Sequence, residues 1–272
     1  MTSGPLVAEP AFATTEVHPA DVHKIRAESV WLASAQAVSA RTVSAAFRIP
    51  TTSAEHARFA EVLEVQRQVG MLQLTRQASL PDSDVFILNR ISLRLLGHAN
   101  APTNGIVHSH IVSGAAIDGG KRSFHQRFGF ESEDGLVATG RSHATFIPRP
   151  LYERLRSNRP RPAAISNTDA GQELEPLDFS EDDPILSDHP SDHITAMQVA
   201  VAVEHRVGNL KPGAKLTALR LRFDHYIETR PLPLLAVEFR PGNKFSGQVR
   251  QNGVSMASFG GSAIHSDLLR AE

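Results

Sequence analysis

The arrangement that most constrains this chain is a helix without a polar face followed by a series of strand-like runs, and its recurrence in the second half. Across residues 59–74, Phe59, Val62, Leu63, Val69, Met71, Leu72 and Leu74 spread over most of the helical surface. A helix apolar nearly all round has to be enclosed by other structure. After Pro81 the hydrophobic period changes to two, as strands require. Residues 85–96, 106–117, 122–130 and 136–147 are successive strand candidates, with Asp118-Gly119-Gly120 and Glu133-Asp134-Gly135 as hairpin turns. Residues 194–207, rich in Val and Ala, predict a second helix ending near Gly208-Asn209. Strands follow at 215–227, 234–239, 245–251 and 255–264, with Gln251-Asn252-Gly253 as a hairpin turn. Two further β-type runs, 22–37 and 41–49, precede the first helix.

A buried helix followed by an antiparallel meander, twice over, predicts an α+β fold of the tandem hotdog type. Two antiparallel sheets would each wrap around a central helix and pack as an intramolecular pseudodimer. The expected boundaries are a loose arm at 1–20, a first hotdog at 21–150, a polar, Pro-rich connector at 151–180 and a second hotdog at 181–272.

Composition narrows the function classes. The chain has 272 residues, enough for a well-buried core. Its 28 basic and 29 acidic residues leave a net charge of −1, which suggests neither a nucleic-acid footprint nor a polybasic membrane anchor. There is no cysteine, so disulfides and thiolate metal sites are excluded. Glu9 and Glu16 interrupt the N-terminal stretch, which has no signal-peptide core, and no run approaches the roughly 18 apolar residues of a membrane helix. A soluble, cytoplasmic protein without cofactor is the expectation. Gly119-Gly120-Lys121 lacks the spacing of a phosphate loop, and no Gly-x-Ser-x-Gly element marks a hydrolase nucleophile.

The chemistry concentrates at Asp188-His189-Pro190-Ser191-Asp192-His193-Ile194, just before the second helix. Adjacent positions on a turn rarely converge on one ion, so no metal site is expected there. This run, with Met197 after it, resembles the segment before the second helix of the A-factor biosynthesis hotdog family (AfsA-like proteins). Glu64-Val65-Gln66-Arg67-Gln68-Val69-Gly70 resembles that family's Glu-x-x-Arg-Gln-x-Gly helix. Gly135-Leu136-Val137-Ala138-Thr139-Gly140, Tyr152-Glu153-Arg154-Leu155-Arg156 and Val22-His23-Lys24 resemble further pieces in the same order, over residues 20–265. The resemblance implies synthesis of a γ-butyrolactone or butenolide signalling molecule. The implied reaction moves a β-ketoacyl group from an acyl carrier protein to dihydroxyacetone phosphate or a similar hydroxyl acceptor.

The second helix departs from the pattern. Val201 stands where the family has a glutamate, Glu204 where it has an arginine, His205 where it has a glutamine, and Thr195-Ala196 replaces Pro-Gly. In the first half, Thr52 stands as far ahead of Glu64 as His189 stands ahead of Val201. Related hotdog enzymes resemble one another in joining a loop histidine from one unit to a helix carboxylate from the other. By that rule His189 faces Glu64 in one working site, and Thr52 faces Val201 in a dead one. His189 is then the expected general base. Glu64, desolvated, is expected to have a raised pKa and to act as acid or to orient the histidine. Arg67 is expected to hold a phosphate or carbonyl oxygen and Gln68 to complete the carbonyl's hydrogen bonding, with Asp192 and His193 as substrate-binding neighbours. Structural readings stand beside these: Glu64 and Arg67 as a helix-supporting i, i+3 pair, Asp192 as an N-cap, and His193 and His205 as ordering or solvated residues. Lys211, Lys215, Arg220 and Arg222 suit either a solvated strand face or a docking face for an acidic carrier. The alternative functions are a non-catalytic acyl-binding protein and a dehydratase or thioesterase on carrier-bound chains; a monomer and a homodimer are both compatible.

Overall fold

The computed structural model describes residues 14–50, 57–77, 84–97, 100–116, 122–157, 173–178, 183, 185–186, 191 and 193–265. His189, Asp192 and Thr52 lie outside the described residues. The first half contains strands β1 (Leu32–Ser39) and β2 (Thr42–Arg48) and helix α1 (Phe59–Gln77). Strands β3 (Asp84–Leu95), β4 (Asn104–Ala116), β5 (Arg122–Ser132) and β6 (Gly135–Pro148) follow. Helix α2 (Arg149–Ser157) crosses the boundary expected after residue 150, and the short β7 (Leu174–Pro176) falls in the stretch read as connector. The second half contains α3 (Ala196–Leu210), β8 (Ala214–Phe223), β9 (Leu234–Arg240), β10 (Lys244–Gln251) and β11 (Val254–His265).

The double hotdog is borne out, with one change in how its halves meet. The strands form one sheet in the order β1-β2-β4-β5-β6-β3-β8-β11-β10-β9-β7. The two units join edge to edge where β3 pairs antiparallel with β8, from Arg90↔Arg222 to Arg94↔Ala218. At this seam Ile91 lies opposite Leu221 and Leu93 opposite Leu219, all four buried. Pairing these two strands removes two exposed sheet edges at once.

Both helices contribute to one apolar core that runs through the two units, with Val62, Leu63, Val69 and Leu72 from α1 and Val199, Val201 and Val203 from α3. Among the described residues, no helix is long and apolar enough to cross a membrane. Helix α3 begins with a capping box: the Gln198 N–H donates to Thr195 Oγ1 at 3.2 Å, and the Thr195 N–H donates to Gln198 Oε1 at 2.7 Å.

Residues 22–31 correct the expected long first strand. Pro19 opens a 3-10 turn over Pro19–Val22, His23 adopts a left-handed φ of 53°, and a second 3-10 turn spans Ala27–Ser29. A positive φ cannot continue a pleated strand. The first strand therefore starts at Leu32, and residues 22–31 fold over α1. The expected strand 215–227 likewise ends at Phe223, where the backbone N–H groups of Asp224 and His225 turn to the Met256 carbonyl.

Candidate functional site

Two polar clusters stand out among the described residues, one touching Asp183 and Ile185 and the other containing Ser191 and His193. The first is on α1, where Glu64, Arg67 and Gln68 share one side of the helix through their i, i+3 and i, i+4 spacing. The Glu64 side chain is 1% exposed. Its Oε2 accepts from Arg67 Nε at 2.7 Å; its Oε1 accepts from Arg67 at 2.8 Å and from Gln68 Nε2 at 2.9 Å. Lys24 Nζ lies 3.3 Å from Oε1.

This saturation corrects the expected protonation. Burial works to raise the Glu64 pKa, but the Arg67 charge and hydrogen bonds, then Lys24 and the Gln68 amide, outweigh it and hold the carboxyl below its ordinary value. Glu64 is a fixed carboxylate, not an acid with a raised pKa. The neighbours are engaged as well. Gln68 Nε2 also donates to the Ser29 carbonyl at 2.9 Å, and its Oε1 accepts from the Trp31 N–H at 2.9 Å, so both of its amide hydrogens are in use. Arg67 also donates to the Val22 carbonyl at 3.2 Å. The residues expected to contact substrate instead fasten the 22–31 segment to α1.

The same cluster reaches into the second unit. Lys24 Nζ donates to the Ile185 carbonyl at 3.2 Å, and Arg58, just ahead of α1, grips Asp183 through two bonds of 2.8 and 3.1 Å. The chain that leads to His189 is therefore moored on the first half of α1. Ile185 precedes His189 by four residues, a reach of at most about 14 Å for extended chain. Val201 is fully buried in α3. Glu204 caps α1, its carboxylate accepting the N–H groups of Phe59 at 2.8 Å and Ala60 at 3.3 Å. Burial pushes its pKa up to about 7, with Glu61 adding to the rise, while Arg58 and the two N–H groups pull it down. His205 is exposed.

The second cluster lies just after the same run. The His193 ring sits 4.4 Å from the Tyr226 ring, and its Nδ1 is 3.1 Å from Ser191 Oγ. Tyr226 and Tyr152, the only two tyrosines of the chain, share a hydrogen bond of 2.5 Å. Arg156 stacks over Tyr226 with its guanidinium carbon 4.3 Å from the ring centre, bonds the Tyr152 hydroxyl at 3.3 Å and pairs with Glu228 at 2.7 Å. Burial works against the Arg156 charge, but the Tyr152 hydroxyl, Tyr226 and Glu228 outweigh it and raise its pKa. The backbone fixes this geometry. Helix α2 delivers Tyr152 and Arg156, the Ile194 N–H donates to the Ile227 carbonyl at 2.9 Å, and Gln251 brackets Glu228 with bonds of 2.9 and 2.7 Å to its N–H and carbonyl. All five side chains are partly exposed, so this cluster can be reached from solvent while Glu64 cannot.

Sequence reasoning found Glu64, Arg67 and Gln68 as a group and expected His193 beside them; the structure has His193 in the second cluster, with Tyr226 and Ser191. Sequence reasoning missed Lys24 as the bridge between units, and Tyr226 and Glu228 altogether. The pairing of two rare tyrosines was the available signal for one of them; Lys24 and Glu228 carried none, because their partners are distant in sequence. A groove of about 520 Å³, lined by Thr15, His18, Ala35, Val43, Arg76 and Gln77, lies elsewhere. It sits near the C-terminal end of α1, about 18 Å along the helix from Glu64.

These features define a double-hotdog protein, and the solved structures it resembles share that fold. It superposes on the 12:0-ACP thioesterase from Umbellularia californica with a TM-score of 0.59 at 10% identity, covering 82% of this chain and 97% of that one. For an acyl-ACP thioesterase from Bacteroides thetaiotaomicron the values are 0.56 and 12%, covering 82% and 98%. For HtdX of Mycobacterium tuberculosis they are 0.51 and 10%, covering 91% and 97%. Identities this low show a common fold alone. No family model matches the chain, and no curated protein matches its sequence. The likeness to A-factor biosynthesis proteins therefore rests on the quoted residues.

Proposed function

We propose that this protein is an enzyme of carrier-bound acyl thioesters, working where the run before α3 meets α1. The observation that carries the reading is Lys24, whose ammonium joins Glu64 of the first unit to the Ile185 carbonyl of the second. That bridge supports a composite arrangement in which His189, from one unit, works beside the cationic end of a cluster held by the other. Lys24 and Arg67 against Glu64 leave one net positive charge. Two of the three ammonium hydrogens of Lys24 have partners among the described residues, and the third suits a developing oxyanion.

In the finer reading the reaction is β-ketoacyl transfer. His189 takes the proton of an acceptor hydroxyl, here dihydroxyacetone phosphate or a similar alcohol, and that oxygen attacks the thioester carbonyl. The C–S bond breaks, and the carrier thiol leaves with the proton. Glu64 holds Lys24 and Arg67 in place without exchanging a proton, while Asp192 and His193 line the approach. A second reading, hydrolysis by water, is favoured by Arg67, which already bonds Glu64 and the Val22 carbonyl instead of awaiting a phosphate.

Mass spectrometry of an acyl-loaded carrier protein separates these outcomes. Loss of the acyl group only when dihydroxyacetone phosphate is present supports transfer, and loss without it supports hydrolysis. A mass decrease of one water marks a dehydratase. An unchanged acyl carrier, or full activity in His189→Ala, overturns the catalytic reading.

A further inference from the structure

The outer face of the sheet, opposite the helices, carries a concentration of positive charge that the near-neutral composition hides. Two rows cross four neighbouring strands at the seam. One runs Arg127, Arg141, Ser92, Arg220 and the next runs His125, His143, Arg90, Arg222, each residue directly opposite its neighbour. Arg94 extends the patch on β3. All six arginines are exposed. Arg222 pairs with Asp224 at 2.7 Å; among the described residues no ion pair reaches Arg90, Arg94, Arg127, Arg141 or Arg220. The histidines register the field: the His125 and His143 rings stack 4.2 Å apart, and desolvation, then His125 and Arg90, hold the His143 pKa below its ordinary value.

The spacing of the patch suits a helix. Residues in a row are about 4.8 Å apart, and the two rows lie about 7 Å apart along the strands. Acidic side chains one turn apart on a helix are about 5–6 Å apart. Such a helix laid across the strands meets both rows. The inward-facing Phe128, Phe130 and Phe146 are buried, and neither row has a Phe, Tyr or Trp. The second polar cluster is within chain reach of the face, because Tyr226 follows Arg222 by four residues, at most about 14 Å of extended chain.

We infer that this arginine face is the docking surface for an acidic helix of the acyl carrier protein, an assignment that rests on the acyl-thioester reading above. Docking there brings the carrier towards the partly exposed Tyr226, Arg156 and His193. Electrostatic pairing of this kind acts mainly on encounter and is screened by salt.

The test compares the wild-type protein with an Arg127→Ser, Arg141→Ser, Arg220→Ser triple variant, whose side chains point to solvent and touch no site residue. Binding of a holo acyl carrier protein is titrated at about 50 and about 300 mM salt, and turnover is measured with an acyl-N-acetylcysteamine thioester, which lacks the carrier. The expected result is an affinity loss of at least about tenfold at low salt, a weakened salt dependence and unchanged turnover of the small thioester. Arg240→Ser, at the end of β9 three strands away from β8, should bind like wild type. Equal carrier affinity in wild type and triple variant overturns the proposal, as does tighter binding of duplex DNA or anionic phospholipid vesicles than of the carrier. Arginine-dependent carrier binding without turnover of any thioester leaves the docking face standing and removes the enzyme reading. Turnover of the small thioester with arginine-indifferent carrier binding does the reverse.

Discussion

At the scale of single residues, Glu64 shows why a buried carboxylate on an apolar helix does not by itself identify an acid. Desolvation alone raises a carboxyl pKa, but two cations and an amide reverse the sign here. Glu64→Gln keeps the shape and strands Lys24 and Arg67, so it should cost about 3–5 kcal/mol of stability at neutral pH, read by urea denaturation. A carboxyl whose folded pKa is depressed contributes stability fully above its ordinary value of 4.5, and that contribution is lost as pH falls through the folded value. The gap between wild type and Glu64→Gln should therefore close under acid. A gap that stays constant with pH would contradict the ion cluster. Glu204 has the opposite sign. Its folded pKa of about 7 exceeds 4.5, so its contribution is most favourable below 4.5 and declines as pH rises towards 7. Thermal melts of Glu204→Gln should gain on wild type across that window.

At the scale of elements, Asp183 and Ile185 are moored on the first unit. Arg58 and Asp183 lie 2.8 Å apart across units, and Lys24 reinforces them. An Arg58→Met and Asp183→Asn double-mutant cycle should show a coupling of about 0.5–3 kcal/mol in stability. It should also show lower turnover in each single variant; additive effects would mean that the mooring carries no coupling. Thr195→Ala should remove about 1 kcal/mol through loss of the α3 cap. The second helix also becomes intelligible at this scale: Glu204 caps the partner helix, and Val201 packs in the shared core.

At the scale of the whole molecule, the seam between β3 and β8 makes the two units one folding body. Leu219→Ala removes a buried side chain opposite Leu93 and should cost about 2–5 kcal/mol. Because the apolar core runs through both units, calorimetry of the variant should still show one transition at a lower Tm. Two separated transitions would show that the halves fold independently. The docking face is also a property of this scale, since its rows take residues from both units.

Much of the fold was legible in the chain, because a helix apolar all round and strands of period two are local patterns that burial imposes residue by residue. The duplication, both helices and the meanders followed from them. Residues 22–31 were misread as strand because their conformation depends on a left-handed turn at His23 and on anchoring to Glu64, neither of which is a periodic signal. Glu64, Arg67 and Gln68 were found together because helical spacing brings them together. Their charge state was misjudged because it depends on Lys24, forty positions upstream. The sequence by itself determined a double hotdog with its polar residues gathered before the second helix. Only the tertiary structure decided that the two sheets become one, that Glu64 is a saturated anion, and that six scattered arginines share one face. Cross-strand pairing and ion contacts join residues far apart in the chain, and their energies depend on distances that no local pattern encodes.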